Sequence, residues 1–314
     1  MRKILITGCA GFIGSQLAQF YLDQNCTVFG IDNFCTGSKS NIKELENYKS
    51  FYFFEHDVSE PWTALRLLKV DDNFDFVFHL ASPAAVNQYQ NLSLETMRAN
   101  SVGLQNALTF ATSKAAKLIF SSTSEIYGSP KLECQNESYW GHVNSFGERS
   151  CYDESKRFGE ALIFSWNKRY ATKHGLVRIF NTYGPRMNPE DGRAINRFVR
   201  QALKNEDLTV YGTGNQTRSF CYITDLIKGL DLYCQSPFSR PVNLGNDEEI
   251  TIYKLANLVI QITDSSSKII HQPLPQDDPP QRRPNLTYAR ENLKFDPRIN
   301  LKQGLLKMIE SKNL

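Results

Sequence analysis

Three glycines, Gly8, Gly11 and Gly14, mark the passage from a short apolar run at residues 2–7 into an amphipathic stretch with Ile13, Leu17 and Tyr21 on one stripe. Strand, tight turn and helix in this order place the free N–H groups and positive dipole end of a helix where they can receive a pyrophosphate. The spacing is G-x-x-G-x-x-G, which by itself also suits an ordinary turn. A second apolar run at 27–31 ends on Asp32, whose carboxylate can accept hydrogen bonds from a ribose diol and would repel a 2′-phosphate. No basic residue adjoins it in Asn33 or Phe34. The pattern therefore favours NAD over NADP.

Further apolar runs at 50–55, 75–80 and 117–121, with a long helix expected over 94–112, continue the alternation. Alternating strands and helices predict an α/β chain, a Rossmann-like doubly wound parallel sheet, with ligands at the carboxyl ends of its strands. Those ends carry Asp57 and Val58, then Leu80 and Ala81 ahead of the small residues Ser82-Pro83-Ala84-Ala85, which let a backbone approach a cofactor closely. With Phe12, Ile13, Asn33, Asn100, Tyr152 and Lys156 they complete the expected cofactor contacts.

The chemistry-bearing stretch is 151–160, where Tyr152 and Lys156 stand four residues apart on an expected helix and so share a face. A phenol is a poor base at neutral pH unless a cation favours its phenolate. Lys156 can supply that charge, and Tyr152 can then take a hydroxyl proton while hydride leaves the same carbon. Such a pair also arises by chance on amphipathic helices. The strand ahead of it delivers Thr123, in reach of the same oxygen, and Glu125, an acid or base for the adjoining carbon, in a Ser/Thr-rich loop at 121–128.

After a strand at 176–180, Gly184-Pro185 breaks the regularity and sends the chain into a second, smaller substrate-binding region. The expected division is 1–181 with 219–246 for NAD, and 182–218 with 247–314 for substrate. Helices are expected at 194–204 and 222–234, strands at 208–211 and 241–246, a final helix after Thr251, and an irregular charged loop at 277–284. The arginine pair Arg282-Arg283 in that loop suits phosphate or carboxylate.

The formal charge of +3 comes from interspersed residues, which argues against nucleic-acid or membrane-surface binding. Seven widely spaced cysteines without a C-x-x-C pair read as reduced thiols, and no apolar run approaches membrane-spanning length. These features, with a start directly on a strand, point to the cytoplasm. No metal-ligand cluster is seen.

Taken together, the glycine pattern, Asp32, Thr123 and Tyr152-x-x-x-Lys156 resemble the extended short-chain dehydrogenase/reductases across nearly the whole chain. Within that family the stretches 32–37, 122–128, 139–144, 151–154, 178–187, 191–193, 208–212, 216–220 and 277–284 look like the UDP-glucuronate decarboxylases, or UDP-xylose synthases. The resemblance implies NAD-dependent oxidation at the sugar C4, loss of CO2 from the resulting β-keto acid, protonation at C5 and return of the hydride. It implies Thr123, Glu125, Tyr152, Lys156 and Arg282 as the catalytic set. A UDP-sugar would be held by Asn181, Thr209, Tyr211 and Arg218, with Arg186, Arg193, Arg282 and Arg283 as further contacts. It also implies a homodimer built on the helices at 94–112 and 152–170.

Two stretches depart from that pattern: the loop Ser82 to Tyr89, which in the family faces the sugar, and a longer segment at 63–74. Thr123-Ser124-Glu125 also resembles nucleotide-sugar 4,6-dehydratases, in which such a Glu removes the C5 proton. A 4-epimerase has no need of Glu125, and a non-catalytic NAD sensor has no need of Tyr152 and Lys156.

Overall fold

A computed structural model of the chain describes residues 1–65, 73–188, 190–274 and 281–311. The first half runs β1 (Lys3–Thr7), α1 (Phe12–Asp23), β2 (Thr27–Asp32), α2 (Lys39–Leu45), β3 (Phe51–Glu55), β4 (Phe76–His79), α3 (Val86–Asn91), α4 (Ser93–Arg98), α5 (Leu104–Ser113), β5 (Lys117–Thr123) and α6 (Ser150–Tyr170). The second half runs β6 (Gly175–Ile179), β7 (Thr182–Tyr183), α7 (Ala194–Leu203), β8 (Leu208–Tyr211), β9 (Thr217–Ser219), β10 (Cys221–Tyr222), α8 (Ile223–Gln235) and β11 (Val242–Leu244). It closes with β12 (Glu249–Thr251), α9 (Ile252–Thr263), β13 (Ile269–Gln272), β14 (Gln281–Arg282), α10 (Thr287–Leu293) and α11 (Leu301–Glu310).

Seven parallel strands form the main sheet in the order β11-β6-β5-β4-β1-β2-β3. Along β1 the two-residue period sends Ile4 and Ile6 into a core with α1 and α8, and Leu5 into a separate core with α5 and α6. All three are fully buried, so each contributes about 1.5–3 kcal/mol by leaving water. Strand order reverses between β1 and β4, and the crevice of a doubly wound sheet opens at such a reversal. His79, at the end of β4, donates from Nε2 to the Ala99 carbonyl and accepts on Nδ1 from Thr7, which ties the two central strand ends together.

Outside the main sheet, β8 pairs with β13, β9 lies between β12 and β14, and β7 pairs with β10.

The structure revises four sequence expectations. The helix expected over 94–112 is interrupted at Ala99–Gly103 by a wider turn. There the Asn100 amide donates to the Thr96 carbonyl, the acceptor that α-helical bonding assigns to the Asn100 N–H. The Ser/Thr-rich loop is shorter than expected, because β5 runs on to Thr123 and Ser124–Tyr127 makes one tight helical turn. The helix after Thr251 is not the last, since α10 and α11 follow and bury Ala289, Leu305 and Met308. In the charged loop, Gln281 and Arg282 form a strand beside β9. Residues 66–72 of the longer segment and 277–280 of the charged loop lie outside the described residues.

Candidate active site

The glycine turn meets its neighbours too closely for side chains. Gly8 has φ +72°, and a Cβ on it would lie 2.8 Å from the Ala81 nitrogen; one on Gly14 would lie 2.1 Å from the Gly8 carbonyl oxygen. Helix α1 starts at Gly11, which has no side chain to cap it, so its first-turn N–H groups face the cavity that Gly11, Phe12, Ile13 and Gly14 line. This cradle fits a dinucleotide pyrophosphate. Asp32, at the end of β2, accepts the Ala10 and Phe34 N–H groups at 2.8 Å each, so it also pins the turn to the sheet. Burial raises its carboxyl above the ordinary value, against the lowering effect of those N–H groups.

One cavity of about 1160 Å³ runs from this turn past the end of β5 to β8, β9 and β14. Thr123, Glu125, Tyr152, Lys156 and Arg282 all line it, as do Leu80, Asn181, Arg186, Arg193, Tyr211 and Arg218. Other expected contacts do not. Asn33 donates to Asp57 at 3.0 Å, and Asp57 also accepts from Ser59. Val58, Ala81 and Asn100 pack behind the wall, Asn100 donating to Ser82 and Ser155. Thr209 is buried and accepts from Gln201 at 3.1 Å, whereas Arg283 pairs with Glu249 at 3.5 Å. Arg186 is engaged by Glu44 and the Ser15 carbonyl, and Arg193 by Asp191.

Tyr152 and Lys156 face the cavity from α6, one turn apart. The simple expectation that Lys156 lowers the phenol is not what the chain alone achieves. Lys156 Nζ donates to the Ser121 carbonyl at 2.8 Å and lies 4.8 Å from the Phe120 ring centroid, and burial pushes its ammonium down to about 7. Burial pushes Tyr152 up to about 12; a hydrogen bond with Thr123 favours its phenolate, while the charges of Glu125 and Asp153 oppose it.

At the far side of Tyr152 lies a cluster that sequence reading only partly found. Glu125 accepts from Arg282 on Oε1 and from Arg149 on Oε2. Burial would raise this carboxyl, but Arg282 and Arg149 outweigh it and hold it below the ordinary value. Arg282 is in register with Arg218 on the neighbouring strand, and the charge of Arg218 also favours the ionised form of Glu125. Arg149, Tyr89 and Arg197 were missed. Arg149 precedes Tyr152 by three residues, a spacing that shares a helix face and is legible in hindsight. Tyr89 stacks on Tyr152 with centroids 4.9 Å apart and planes at 9°, a long-range contact without a sequence signal. Arg197 lies 4.7 Å from the Tyr211 ring centroid. Among the described residues no cluster of His, Cys, Asp or Glu could hold a metal ion.

Residues 4–245 match the description "NAD dependent epimerase/dehydratase family". The chain belongs to that family. It is 43% identical over 309 residues to UDP-glucuronic acid decarboxylase 1 of Danio rerio, covering 98% of this chain and 72% of the relative. UDP-glucuronic acid decarboxylase 5 of Arabidopsis thaliana is 42% identical over 309 residues, with 98% and 88% covered. Among solved structures, a UDP-glucuronic acid 4-epimerase from Bacillus cereus, in complex with UDP-glucuronic acid and NAD, superposes with a TM-score of 0.87 at 29% identity over 98% of both chains. Membership in this family makes NAD the cofactor, in agreement with the glycine cradle; Asp32 is buried under that turn and is not among the residues that line the cavity.

Proposed function

We propose that this family member decarboxylates UDP-glucuronate to UDP-xylose through a 4-keto intermediate. The observation that carries the reading is the pair of guanidiniums, buried Arg282 and partly buried Arg149, on Glu125 beside Tyr152 and Thr123, a site with charge suited to a carboxylated sugar. The decarboxylase relatives, at about 42% identity, support it. When bound, NAD supplies the hydride acceptor at C4 and gives the hydride back. Tyr152 takes the 4-hydroxyl proton, with Thr123 on the same oxygen and Lys156 holding Tyr152 and the ribose. The new ketone receives the electrons of the breaking carbon–carbon bond as CO2 leaves, and Tyr152 and Thr123 stabilise the enolate by hydrogen bonds. Arg282 and Glu125 orient the carboxylate and direct a proton through water to C5. Arg218 and Tyr211 suit the UDP portion.

The same reading assigns 1–181 with 219–246 to NAD and 182–218 with 247–314 to the nucleotide sugar. Its support is that strands β8, β9 and β12–β14 lie outside the seven-stranded sheet. A homodimer is supported by exposed apolar residues on the expected helices, Leu94, Met97, Phe158 and Phe164 among them. Sedimentation at micromolar concentration tests it, a monomer being the adverse result. Cytoplasmic placement is supported by seven free cysteines, and among the described residues no helix is long and apolar enough to cross a membrane.

Incubation with NAD and UDP-glucuronate, followed by mass spectrometry, tests the activity: the expected product is a UDP-pentose lighter by one CO2. A product of unchanged mass with a new retention time would instead mean 4-epimerisation. Loss of water from UDP- or GDP-hexoses would make Glu125 a C5 base.

A further inference from the structure

Glu125 has two cationic partners, and the elements that carry them differ. Arg149 is the N-cap residue of the 21-residue helix α6, with its guanidinium 6.0 Å from the Tyr89 ring centroid and its Nε 3.9 Å from Asp153 Oδ2. Tyr89 in turn stacks on Tyr152. Arg149 is thus bound to the element that carries the catalytic pair. Arg282 stands on the two-residue strand β14, opposite Arg218 and facing the sugar end of the cavity. Resting on the proposed reaction, a carboxylated substrate must displace some resident anion to reach Arg282, and the anion there is Glu125. Glu125 then needs a countercharge that stays, or it would take up a proton on losing Arg282 in a buried site.

We propose that Arg149 is a positioning residue, the permanent countercharge that keeps Glu125 ionised and oriented while Arg282 passes from Glu125 to the carboxylate of the substrate. The groups facing Glu125 are Arg149, Asp153 and Tyr152 from α6, Arg282 from β14, Arg218 from β9, Arg193 ahead of α7 and Tyr89 from α3. Of these, Arg149 is the cation that hydrogen-bonds Glu125 and sits on the catalytic helix. Asp153 draws on the same guanidinium; its carboxyl is pushed up to about 7 by burial and by the charge of Glu125, and its Oδ1 is buried without a partner, so of the two carboxyls Asp153 is the easier to protonate.

The experiment compares wild type, Arg149→Gln, Arg149→Lys and Arg282→Gln. In Arg149→Gln the acidic limb of the kcat/KM profile is expected to move up by about one to three pH units, the shift that follows loss of an adjacent cation, with lost turnover recovered as pH rises. Arg149→Lys, which keeps the charge, is expected to return the limb towards its original position. Arg282→Gln is expected to raise KM for UDP-glucuronate more than it lowers kcat. Equal loss of turnover at every pH in Arg149→Gln, or an Arg149→Lys profile no better than that of Gln, would overturn the proposal. A second readout is independent of turnover. Infrared difference spectra of Arg149→Gln loaded with NAD and UDP-glucuronate should show a protonated-carboxyl band at neutral pH that persists when Asp153→Asn is added and disappears when Glu125→Gln is added. Its absence would sink the proposal even if the enzyme is active. Its presence with an inactive wild type would retain the countercharge and discard the decarboxylase reading.

Discussion

Tyr152, the proposed base, is kept protonated by the folded chain alone, with its phenol pushed up to about 12 by burial and the neighbouring ammonium of Lys156 pushed down to about 7. Thr123, with the charge of Arg193, favours the phenolate, and Thr123 arrives there because β5 runs three residues beyond Phe120. Tyr152→Phe removes the proton acceptor without opening a cavity, since the ring still stacks on Tyr89. Turnover should fall by roughly 10²–10⁴ while NAD affinity, followed by fluorescence quenching, stays within about a factor of three of wild type. Unchanged turnover would remove Tyr152 from the chemistry.

Between residue and fold, the glycine turn and the last helix make contrasting cases. Gly14→Ala drives a Cβ into the Gly8 carbonyl, so the turn must open and α1 must retreat from β1. Loss of NAD binding by calorimetry together with a lower melting temperature is the expected result. Helix α11 has a reciprocal capping box, in which the Asn300 side chain accepts from the Gln303 N–H at 2.9 Å and Gln303 reaches back to the Asn300 N–H. Asn300→Ala should cost about 1 kcal/mol in urea unfolding and leave kcat unaltered, because the cap does not line the cavity. If turnover fell with it, α11 would have a role in the site that its packing does not suggest.

For the whole molecule, two buried histidines set a stability gradient with pH. Burial pushes His79 down to about 3 and His174 down to about 4, from an ordinary 6.5, so both are neutral in the folded state. The unfolded chain binds protons on them below about 6.5, and stability must fall as pH drops from that value towards the folded-state values. Between pH 7 and pH 5 the loss is up to ~2 kcal/mol per histidine. Urea midpoints at the two pH values measure the net effect, and His174→Asn should remove that histidine's share of the loss at pH 5. The Asp153 carboxyl, raised to about 7, acts with the opposite sign, since the folded state binds the extra proton and stability declines as pH climbs from the unfolded value towards 7. A His174→Asn variant whose midpoint varies with pH as the wild type's does would mean that this imidazole titrates alike in both states.

Periodicity and turn chemistry are local, and what depends on them could be read from the chain itself. The alternation of apolar runs with amphipathic stretches specified the parallel sheet, Gly8 to Gly14 with Asp32 specified the cofactor, and Tyr152 with Lys156 specified one helix face, because each depends on neighbours within a turn or a strand. The Asn300 box was equally legible, though α11 was not anticipated. What joins distant segments had no such signature. Pairing of β14 with β9 brings Arg282 across 157 residues to Glu125, and the stacking of Tyr89 on Tyr152 depends on how α3 packs against α6. The direction of the Tyr152, Lys156 and Asp153 proton affinities likewise followed from burial and from the sum of surrounding charges, quantities that exist only once the chain has closed around them.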